Sequence, residues 1–446
     1  MAKNYLIISL LCSFLGFSQF NSSAPWMSDT TISKTNEANI NEITNSFNQY
    51  WANKDKNKKG SGFKPYMRWE NHWRNKVNEE GYLITPQEMW NAWAQKKQAI
   101  TGKNSSFSLP TSNWQPIGPF SNSIANSTRA RGRVNIIEVD PSNPNIIYFG
   151  TPAGGLWKSI NAGASWIALT DELPQIGVSG IAIDPTNSNT IYIATGDRDA
   201  SDTYSIGVMK STDGGLTWNT TGLTFTNTTT RSGDLIIHPS NNLFLFFATS
   251  IGLQKTTDGG VTFTKVKAGN FAQGSVRFKP GNPSVVYAVN NNRFYRSTDT
   301  GSTYTTITSG LPLVGSRLML DVTPANNEYV YIISATTGNA FQGIYRSING
   351  GTNFTKTSGT TDIFDGATQS WYDLAIAVSD TNANEIYTGC LNIWKSTDGG
   401  TTVTRLNEWN VYNSKFTHAD IHFMQFKNNK LYCGTDGGIY VSNDAG

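Results

Sequence analysis

The chain has 446 residues, in which 35 Lys and Arg against 32 Asp and Glu give a formal net charge of +3. Charged residues make up 15% of the chain, below the usual quarter, which argues against bulk binding of nucleic acid. The 41 Gly, 13 Trp, 18 Tyr and 22 Phe describe a glycine- and aromatic-rich globular chain, long enough for one large core or several ordinary ones. This composition excludes disorder throughout the chain.

Residues 1–18 are predicted to be a secretory signal peptide. Lys3 precedes an apolar run, Tyr5–Phe17, and the small residues Gly16 and Ser18 lie at positions −3 and −1 of a cut after residue 18. The run is too short to cross a bilayer about 30 Å thick, and no later segment has the roughly 18 apolar residues needed. We therefore expect a protein that is secreted or lies at the outer cell surface, with no transmembrane segment. Whether its two remaining cysteines pair depends on their geometry.

Residues 19–110 are predicted to form a Trp-rich helical arm. Apolar residues recur at helical spacing, first Ile40, Ile43, Phe47 and Trp51, and then Trp69, Trp73 and Val77. A third helix is expected after Thr85, because Pro86 and Glu88 follow it in a capping-box arrangement. The Trp side chains are interpreted as packing, and a sugar-stacking platform is the alternative.

From residue 111 onward the chain is a repeat of about 47 residues. Each copy carries an eight-residue motif, called the box here, of Ser/Thr-x-Asp/Asn-x-Gly-x-x-aromatic (or Val). Complete boxes begin at Ser159, Ser211, Thr256, Ser297, Ser347 and Ser396, and a shortened one begins at Ser442. We expect a structural role for their third residues, which are Asn161, Asp213, Asp258, Asp299, Asn349, Asp398 and Asp444. Side chains of this kind bond backbone N–H groups across a tight turn, where the Gly accepts unusual backbone angles.

The box lies between the third and fourth of four short strands in each period, which is typical of β-propeller blades. Residues 111–446 are therefore predicted to be an all-β, seven-bladed β-propeller of four-stranded blades. The seventh box has no strand after it, and Asn113–Ile117 is similar to the strands that follow the other boxes. We expect Trp114 to begin the strand that closes the ring.

The boxes, with Asp-Gly-Gly at 213–215 and at 398–400, resemble the Asp-box (BNR) repeats of sialidases, sortilin-type propellers and xyloglucan-hydrolysing enzymes. Such propellers include hydrolases, receptors and binding scaffolds, so the resemblance implies a fold and no single function. The segment Lys59–Glu70, together with Gly132 and Arg133, looks like secreted propeller proteins that use type IX secretion. Those proteins are usually longer, which implies that this chain belongs to a native protein with further domains.

Polar residues outside the repeat are expected on the face of the disc opposite the boxes, where ligands would bind. The predicted ligand-binding residues are Asp197, Arg198 and Asp199 in blade 2, Trp371, Tyr372 and Asp373 before blade 6, His418, Asp420 and His422 before blade 7, and Asp436 within it.

Two groups among these residues suit a metal ion, although the sequence requires no cofactor. Alternation along a strand would place His418, Asp420 and His422 on one side, where they could hold Zn. Asp197, Asp199 and Asp202 could bind Ca through oxygen ligands. The alternatives are a hydrogen-bonded cluster at the channel mouth and a loop whose polar groups satisfy one another.

The favoured function is a binding or adhesion module that recognises a polysaccharide or an extracellular protein. A glycoside hydrolase is the alternative and needs two carboxylates about 5–10 Å apart; by position the candidates are Asp197, Asp373, Asp420 and Asp436. An architectural segment of a larger surface protein is the third hypothesis. The resemblance argues against close equivalence to the xyloglucan enzymes, which place a catalytic Asp where this chain has Pro152 and work between two propellers.

Overall fold

The computed structural model describes residues 24–27, 39–58, 62–101, 131–200, 202–411, 413 and 415–446. The chain forms two compact units, Met1–Ala92 and Trp93–Gly446. The signal peptide at 1–18 and the closing strand at Trp114 lie outside the described residues, so both stay predictions, as does the domain boundary after residue 110.

The described helices are a 3-10 helix at Pro25–Met27, α1 at Ile40–Trp51, α2 at Phe63–Trp73 and α3 at Pro86–Thr101. The 3-10 helix, α1 and α2 contribute most of the aromatic core of the N-terminal unit. The four apolar residues predicted from helical spacing are all buried on one side of α1. Its Phe47 ring stacks on Tyr66 of α2 with ring centroids 3.6 Å apart. Val77, which was expected to continue α2, lies beyond its end and forms an isolated β-bridge with Leu83.

The start of α3 has the predicted reciprocal capping. Glu88 accepts hydrogen bonds from the backbone N–H of Thr85 at 2.7 Å and from its hydroxyl at 2.8 Å. The Glu88 N–H donates in return to the Thr85 hydroxyl at 3.2 Å. The bonds from Thr85 lower the pKa of Glu88. None of the described helices is long and apolar enough to cross a membrane.

The strands form seven antiparallel sheets, and each sheet uses consecutive strands of the chain. Blades 1 to 4 are β1 (Ile136–Val139), β2 (Ile147–Gly150), β3 (Leu156–Ser159) and β4 (Ile167–Ala168); β5 (Val178–Ile183), β6 (Ile191–Thr195), β7 (Gly207–Ser211) and β8 (Asn219–Thr224); β9 (Ser232–His238), β10 (Asn241–Thr249), β11 (Gly252–Thr256) and β12 (Thr264–Lys267); and β13 (Val276–Lys279), β14 (Asn282–Val289), β15 (Phe294–Ser297) and β16 (Thr305–Ile307). Blades 5 to 7 are β17 (Arg317–Val322), β18 (Val330–Ala335), β19 (Phe341–Ser347) and β20 (Thr355–Lys356); β21 (Ala375–Val378), β22 (Ile386–Gly389), β23 (Ile393–Ser396) and β24 (Thr404–Arg405); and β25 (Ile421–Lys427), β26 (Lys430–Thr435) and β27 (Gly438–Ser442).

The sheets close into a ring. The first strand of each blade contacts the first strand of the next, and β25 of blade 7 contacts β1 of blade 1. Where the ring closes, Val134 donates its backbone N–H to the Thr435 carbonyl at 3.0 Å, and Lys427 Nζ lies 2.9 Å from Glu138 Oε1. The predicted fold class, an all-β seven-bladed propeller, is confirmed. Blade 7 has three strands among the described residues, and the other six blades have four.

The hydrophobic core lies between adjacent blades. One cluster packs Ile333 and Ile344 of blade 5 against Ile376 and Ile386 of blade 6, all of them buried. Because neighbouring sheets bury each other's faces, the ring needs every blade to complete its core. The two cysteines of the described chain are buried and free. Cys390 lies in the core between blades 5 and 6, and Cys433 lies in the core between blades 6 and 7.

The box turns have the hydrogen bonds that a structural role requires. In the second box, the Ser211 hydroxyl donates to Asp213 at 2.7 Å and accepts the Gly215 N–H at 2.9 Å. Asp213 also accepts the Thr217 N–H at 2.9 Å. Gly214 and Gly215 have φ values of 75° and 96°, a conformation that other residues rarely adopt. The same Ser/Thr-to-Asp/Asn bond occurs in the other six boxes.

A cation from each of the first six blades reaches the next blade. Lys158 donates to the Gly214 carbonyl in the next box at 3.1 Å, and Lys210 donates likewise to Gly259 at 3.1 Å. The same contact to a box carbonyl is made by Lys255, Arg296 and Lys395, while Arg346 donates to Asn384 of the next blade. The corresponding residue of blade 7 is Val441, which is exposed and has no donor in its side chain.

Candidate functional site

Loops from five blades meet at the end of the ring opposite the boxes, since they connect the strand ends that the box turns do not. The residues that contact one another there are called the mouth cluster, and they are Arg133, Asp197, Arg198, Asp199, Arg317, Gln369, Tyr372, Asp373, Asp420, His422 and Asp436. The predicted residues from blades 2, 6 and 7 thus come together, with the exception of His418 and of Trp371, whose ring lies beside Tyr372 of the cluster.

His422 lies at the centre of the mouth cluster and is fully buried. Its Nδ1 is 2.9 Å from Asp199 Oδ2, and its Nε2 is 2.9 Å from Asp436 Oδ1. Burial disfavours the charged imidazolium, but the hydrogen bonds with Asp199 and Asp436 outweigh it and raise the pKa of His422. A protonated ring would donate to both carboxylates and join blade 2 to blade 7.

Asp199 is the most strongly paired carboxylate of the cluster. It is fully buried, and Arg317 Nη2 of blade 5 lies 2.8 Å from its Oδ1. Arg198 Nε lies 3.5 Å from its Oδ2, and the Arg198 Nη2 donates to the His422 carbonyl at 2.6 Å. Burial opposes ionisation, yet Arg317, Arg198 and His422 together hold the pKa of Asp199 far below its ordinary value. This carboxylate therefore holds the cluster together and is not open to a ligand.

Asp197 is also enclosed by donors. Arg133 Nη2 lies 2.6 Å from its Oδ2, and the Asn135 amide donates to its Oδ1 at 3.0 Å. The backbone N–H groups of Asp199 and Ala200 donate to it as well. Because hydrogen-bond donors fill the space around this carboxylate, the geometry favours a loop that satisfies its own polar groups over a Ca site.

The loop at 369–373, just before β21, lies against several other blades. The Ser370 carbonyl accepts a hydrogen bond from Arg317 Nη1 at 3.1 Å, and the Trp371 carbonyl accepts one from Gln273 Nε2 at 2.6 Å. The Tyr372 hydroxyl donates to Asp436 at 2.9 Å. Blades 5 and 7 and the connection before blade 4 therefore hold this loop in place. The Trp371 ring is 44% exposed beside Tyr372, with ring centroids 5.5 Å apart.

The same loop also carries part of a second acidic group, which consists of Asp373 and Asp420 joined by Gln369. Gln369 Nε2 is 2.9 Å from Asp373 Oδ2 and 2.6 Å from Asp420 Oδ1. Asp373 is fully buried, and its Oδ1 is 3.5 Å from the Cys390 Sγ. Burial raises the pKa of Asp373 to about 8, against the opposing effect of the Gln369 hydrogen bond. Asp373 therefore keeps a proton at neutral pH.

The pKa values of the two partly exposed carboxyl groups, Asp420 and Asp436, shift in opposite directions. Burial and the charge of Asp436 raise the pKa of Asp420. Burial also disfavours ionisation of Asp436, but hydrogen bonds with His422 and Tyr372 outweigh it and lower its pKa. The Asp436 side chain is 26% exposed. Environments that separate two pKa values in this way equip one carboxyl group to donate a proton and the other to accept one.

No family model matches the chain. It is 30% identical over 348 residues to a xyloglucanase of Acetivibrio thermocellus, an alignment that covers 64% of this chain and 39% of the relative. A xyloglucanase of a Paenibacillus species is 29% identical over 343 residues, which cover 65% of this chain and 32% of that enzyme. The chain is similar to xyloglucanases. It spans well under half the length of these relatives.

Solved structures of related enzymes have the same fold. A GH74 enzyme of Niastella koreensis superposes with a TM-score of 0.53 at 21% identity, over 72% of this chain and 53% of that one. An ancestral GH74 enzyme gives a TM-score of 0.57 at 19% identity, over 74% of this chain and 46% of that one. At this level of identity the likeness shows the propeller fold alone.

The expected alternation of His418, Asp420 and His422 along one strand was wrong. Strand β25 begins only at Ile421, and Asp420 has a left-handed backbone with φ of 63°, so the alternation does not extend back to His418. His418 Nδ1 lies 3.1 Å from the carbonyl of its neighbour Ala419. Asp420 and His422 join the mouth cluster, and His418 does not.

The described part of the chain contains no group of three or more His, Cys, Asp or Glu arranged to hold a metal ion. Both ring nitrogens of His422 are close to carboxylate oxygens, which takes the place of coordination to Zn. The Zn and Ca hypotheses therefore gain no support from the geometry of the predicted ligands.

The sequence analysis did not assign five residues of this region to the site, namely Arg133, Asn135, Gln273, Arg317 and Gln369. Four of them come shortly before the first strand of a blade, and Arg317 is the first residue of β17. Polar residues recur across blades at the start of the first strand. The first strands bring these ends together around the axis of the ring, so the shared position is a sequence signal for the site. Their partners could not have been found from the sequence.

The charges of the mouth cluster predict how stability depends on pH. Since the folded pKa of His422 is raised, its contribution is fully present below about pH 6.5, its unfolded value, and is lost as pH rises through the folded pKa. We expect wild-type protein to lose stability on the alkaline side and His422→Gln to lose less there, measured as denaturant midpoints across pH. His238→Gln is the matched control, because burial lowers the pKa of His238 and its removal cannot reduce an alkaline loss. Equal alkaline losses in wild type and His422→Gln would contradict the prediction.

Proposed function

We propose that the chain is a glycoside hydrolase acting on a polysaccharide of the xyloglucan class. The observation that carries the proposal is the pair Asp420 and Asp436, two partly exposed carboxyl groups at the mouth with pKa values shifted apart. The similarity to xyloglucanases supports the substrate class. This function was the alternative in the sequence analysis, and it now ranks above the binding module.

Each carboxyl group has a role that follows from its environment. Asp420, whose pKa is raised, gives its proton to the glycosidic oxygen as the bond from that oxygen to the anomeric carbon breaks. Asp436, whose pKa is lowered, accepts a proton from the water molecule whose oxygen adds to the anomeric carbon. Asp436 then passes its proton to solvent, and Asp420 regains one. Asp373 and Asp197 are buried and therefore take no direct part.

Trp371 supplies the surface against which a sugar ring would stack. Its ring is exposed next to Tyr372, and its carbonyl is held by Gln273 from another blade. Because the backbone of the loop is already held, an aromatic ring placed on it binds the apolar face of a sugar with little further loss of backbone entropy. We propose Trp371 and Tyr372 as glycan-binding residues on the rim of the mouth cluster.

The test is incubation of the purified chain with xyloglucan, a mixed-linkage glucan and a mannan, measuring both reducing ends and retention on each polymer. We expect release from xyloglucan, and for Trp371→Ala a KM about fivefold higher with kcat little changed. Trp409→Ala is the matched control, because Trp409 is 43% exposed but lies outside the mouth cluster. Absence of reducing ends from all three polymers would overturn the hydrolase proposal.

A binding propeller without catalysis is the second candidate. The Tyr372 hydroxyl, which has one hydrogen to donate, lies 2.9 Å from both oxygens of Asp436, and His422 Nε2 lies 2.9 Å from one of them. The Asp436 carboxylate is therefore already engaged by two neighbours before any substrate water approaches it. Pro152 also stands where the resemblance to xyloglucan enzymes implies a catalytic Asp. Retention on one polymer without release would support this candidate. An architectural role predicts neither retention nor release.

The site of action is proposed to be outside the cell. The apolar run Tyr5–Phe17 supports export, and the box turns support assignment to the Asp-box propellers that the sequence resembles. The segment Lys59–Glu70 supports type IX secretion within a longer protein. Mass spectrometry of the N-terminus of protein recovered from culture medium tests the cut after residue 18.

A further inference from the structure

The Gln369 side chain joins the buried carboxyl group of Asp373 to the partly exposed carboxyl group of Asp420. Its amide nitrogen carries two hydrogens, and it lies 2.9 Å from Asp373 Oδ2 and 2.6 Å from Asp420 Oδ1. The turn that carries Gln369 is rigid, since the Gln369 carbonyl accepts the backbone N–H groups of Tyr372 and Asp373. One amide therefore fixes the separation and the orientation of two acidic groups.

The hydrogen bond from Gln369 also decides which oxygen of Asp420 can carry a proton. Because Oδ1 accepts the amide N–H, a proton on Asp420 resides on Oδ2. In the described part of the chain Oδ2 makes no hydrogen bond, and Asp420 is partly exposed at the mouth. Its left-handed backbone, with φ of 63°, is a conformation that a non-glycine residue keeps only when its surroundings hold it.

We propose that Gln369 is a positioning residue that holds the Asp420 carboxyl group for proton donation by tying it to the buried Asp373. This inference rests on the proposed function. Asp373 is the fixed end of the tie, because it is fully buried next to Cys390 and cannot swing toward solvent. The mobile end is Asp420, which would otherwise turn its carboxyl group out of the mouth.

The groups that face Asp420 come from three elements. Gln369 and Asp373 approach from the loop before β21, Asp436 comes from the turn after β26, and the two histidines come from its own segment. Burial and the charge of Asp436 raise the pKa of Asp420. The hydrogen bond from Gln369 and the charges of the two histidines lower it. Loss of the Gln369 donor therefore moves the pKa of Asp420 upward.

The experiment compares wild type with Gln369→Met, which keeps the length of the side chain without its donor. A general acid must be protonated, so activity falls as pH rises through its pKa, and a higher pKa moves that fall to higher pH. We expect the alkaline limb of kcat against pH to move up by about one unit. We also expect kcat on the plateau to drop about tenfold with KM unchanged, because Oδ2 is no longer aimed.

A second readout does not need catalysis. The carboxyl carbon of Asp373, assigned in carbon-labelled protein by comparison with Asp373→Asn, is expected to titrate near pH 8 in wild type and about one unit higher in Gln369→Met. Gln369→Glu is a second variant of the same length, and its added like charge is expected to raise both values further. Gln342→Met is the matched control, because Gln342 also bridges two partners, Ser334 and the Val314 carbonyl, away from the carboxyl groups.

The outcomes separate the two proposals. If the Asp373 titration shifts in Gln369→Met but the wild-type protein releases no sugar, the link between Gln369 and Asp373 is supported and the hydrolase proposal is rejected. Sugar release with an unmoved alkaline limb and an unmoved Asp373 titration in Gln369→Met and Gln369→Glu would overturn the positioning role. Equal shifts in Gln342→Met would also overturn it, because the effect would then be a general consequence of losing an amide that bridges two partners.

Discussion

Replacement of Asp420 by Asn is expected to lower kcat on xyloglucan by about 10²- to 10⁴-fold, the usual contribution of a general acid. The reason is that Asn has no proton to give to the glycosidic oxygen, while its amide oxygen still accepts the Gln369 N–H. Asn also adopts the left-handed backbone of this position readily, so the fold is preserved. The measurement is reducing-end release under saturating polysaccharide.

The diagnostic control for this variant is the substrate. An aryl glycoside with a good leaving group needs no protonation, so Asp420→Asn is expected to retain most activity on it, whereas Asp436→Asn loses activity on both substrates. Asp365→Asn is the matched protein control, because Asp365 also has a positive φ, 55°, but contacts Asn392 and Arg405 outside the mouth cluster. Full activity of Asp420→Asn on xyloglucan would remove Asp420 from the mechanism.

Replacement of Arg317 by Met is expected to lower the free energy of unfolding by about 3–5 kcal/mol. Arg317 is buried and pairs with Asp199 at 2.8 Å, so its loss leaves a buried carboxylate with only Arg198 at 3.5 Å and His422 to balance it. The bond from Arg317 to the Ser370 carbonyl disappears as well, which loosens the 369–373 loop. Denaturant unfolding at pH 7 measures the change.

The matched control for this prediction is Arg405→Met. Arg405 pairs with Asp365 and Glu408 but is well exposed, so its removal is expected to change stability by less than about 1 kcal/mol. The double variant with Asp199→Asn and Arg317→Met should recover part of the loss, since it removes the buried carboxylate that Arg317 had balanced. A loss for Arg317→Met no larger than that for Arg405→Met would show that Asp199 does not depend on this partner.

The fold was predictable because the same short turn motif, the box, occurs seven times in the sequence and forms by local hydrogen bonds. Each box combines a hydroxyl, an acidic or amide side chain and glycine within a few residues, and the bonds of Ser211 and Asp213 form inside that segment. Strand pairing then follows from short connections between neighbours. The end of α2 was not predictable in this way, because Val77 keeps the helical spacing but pairs with Leu83 instead.

The site was predictable only as a set of loops. The sequence places Asp199, Asp436 and His422 on one face, but the distances between them depend on closing a ring across more than 200 residues. Two features lie beyond a pattern argument. One is the left-handed backbone of Asp420, which breaks the alternation that predicted a metal site. The other is Gln369, whose partners are brought to it by different blades.

The cations that join successive blades give the ring a direction. Lys158 acts on the turn of blade 2, and Lys210 of blade 2 acts on the turn of blade 3, so each blade is steadied by its predecessor. These contacts run from blade 1 to blade 7 and end there, because the side chain of Val441 in blade 7 has no hydrogen-bond donor. The ring of similar repeats is therefore not equivalent around its circumference. Loss of one cation is expected to loosen the blade that follows it in the chain, whereas the contact between the last blade and the first uses a different pair, Lys427 and Glu138.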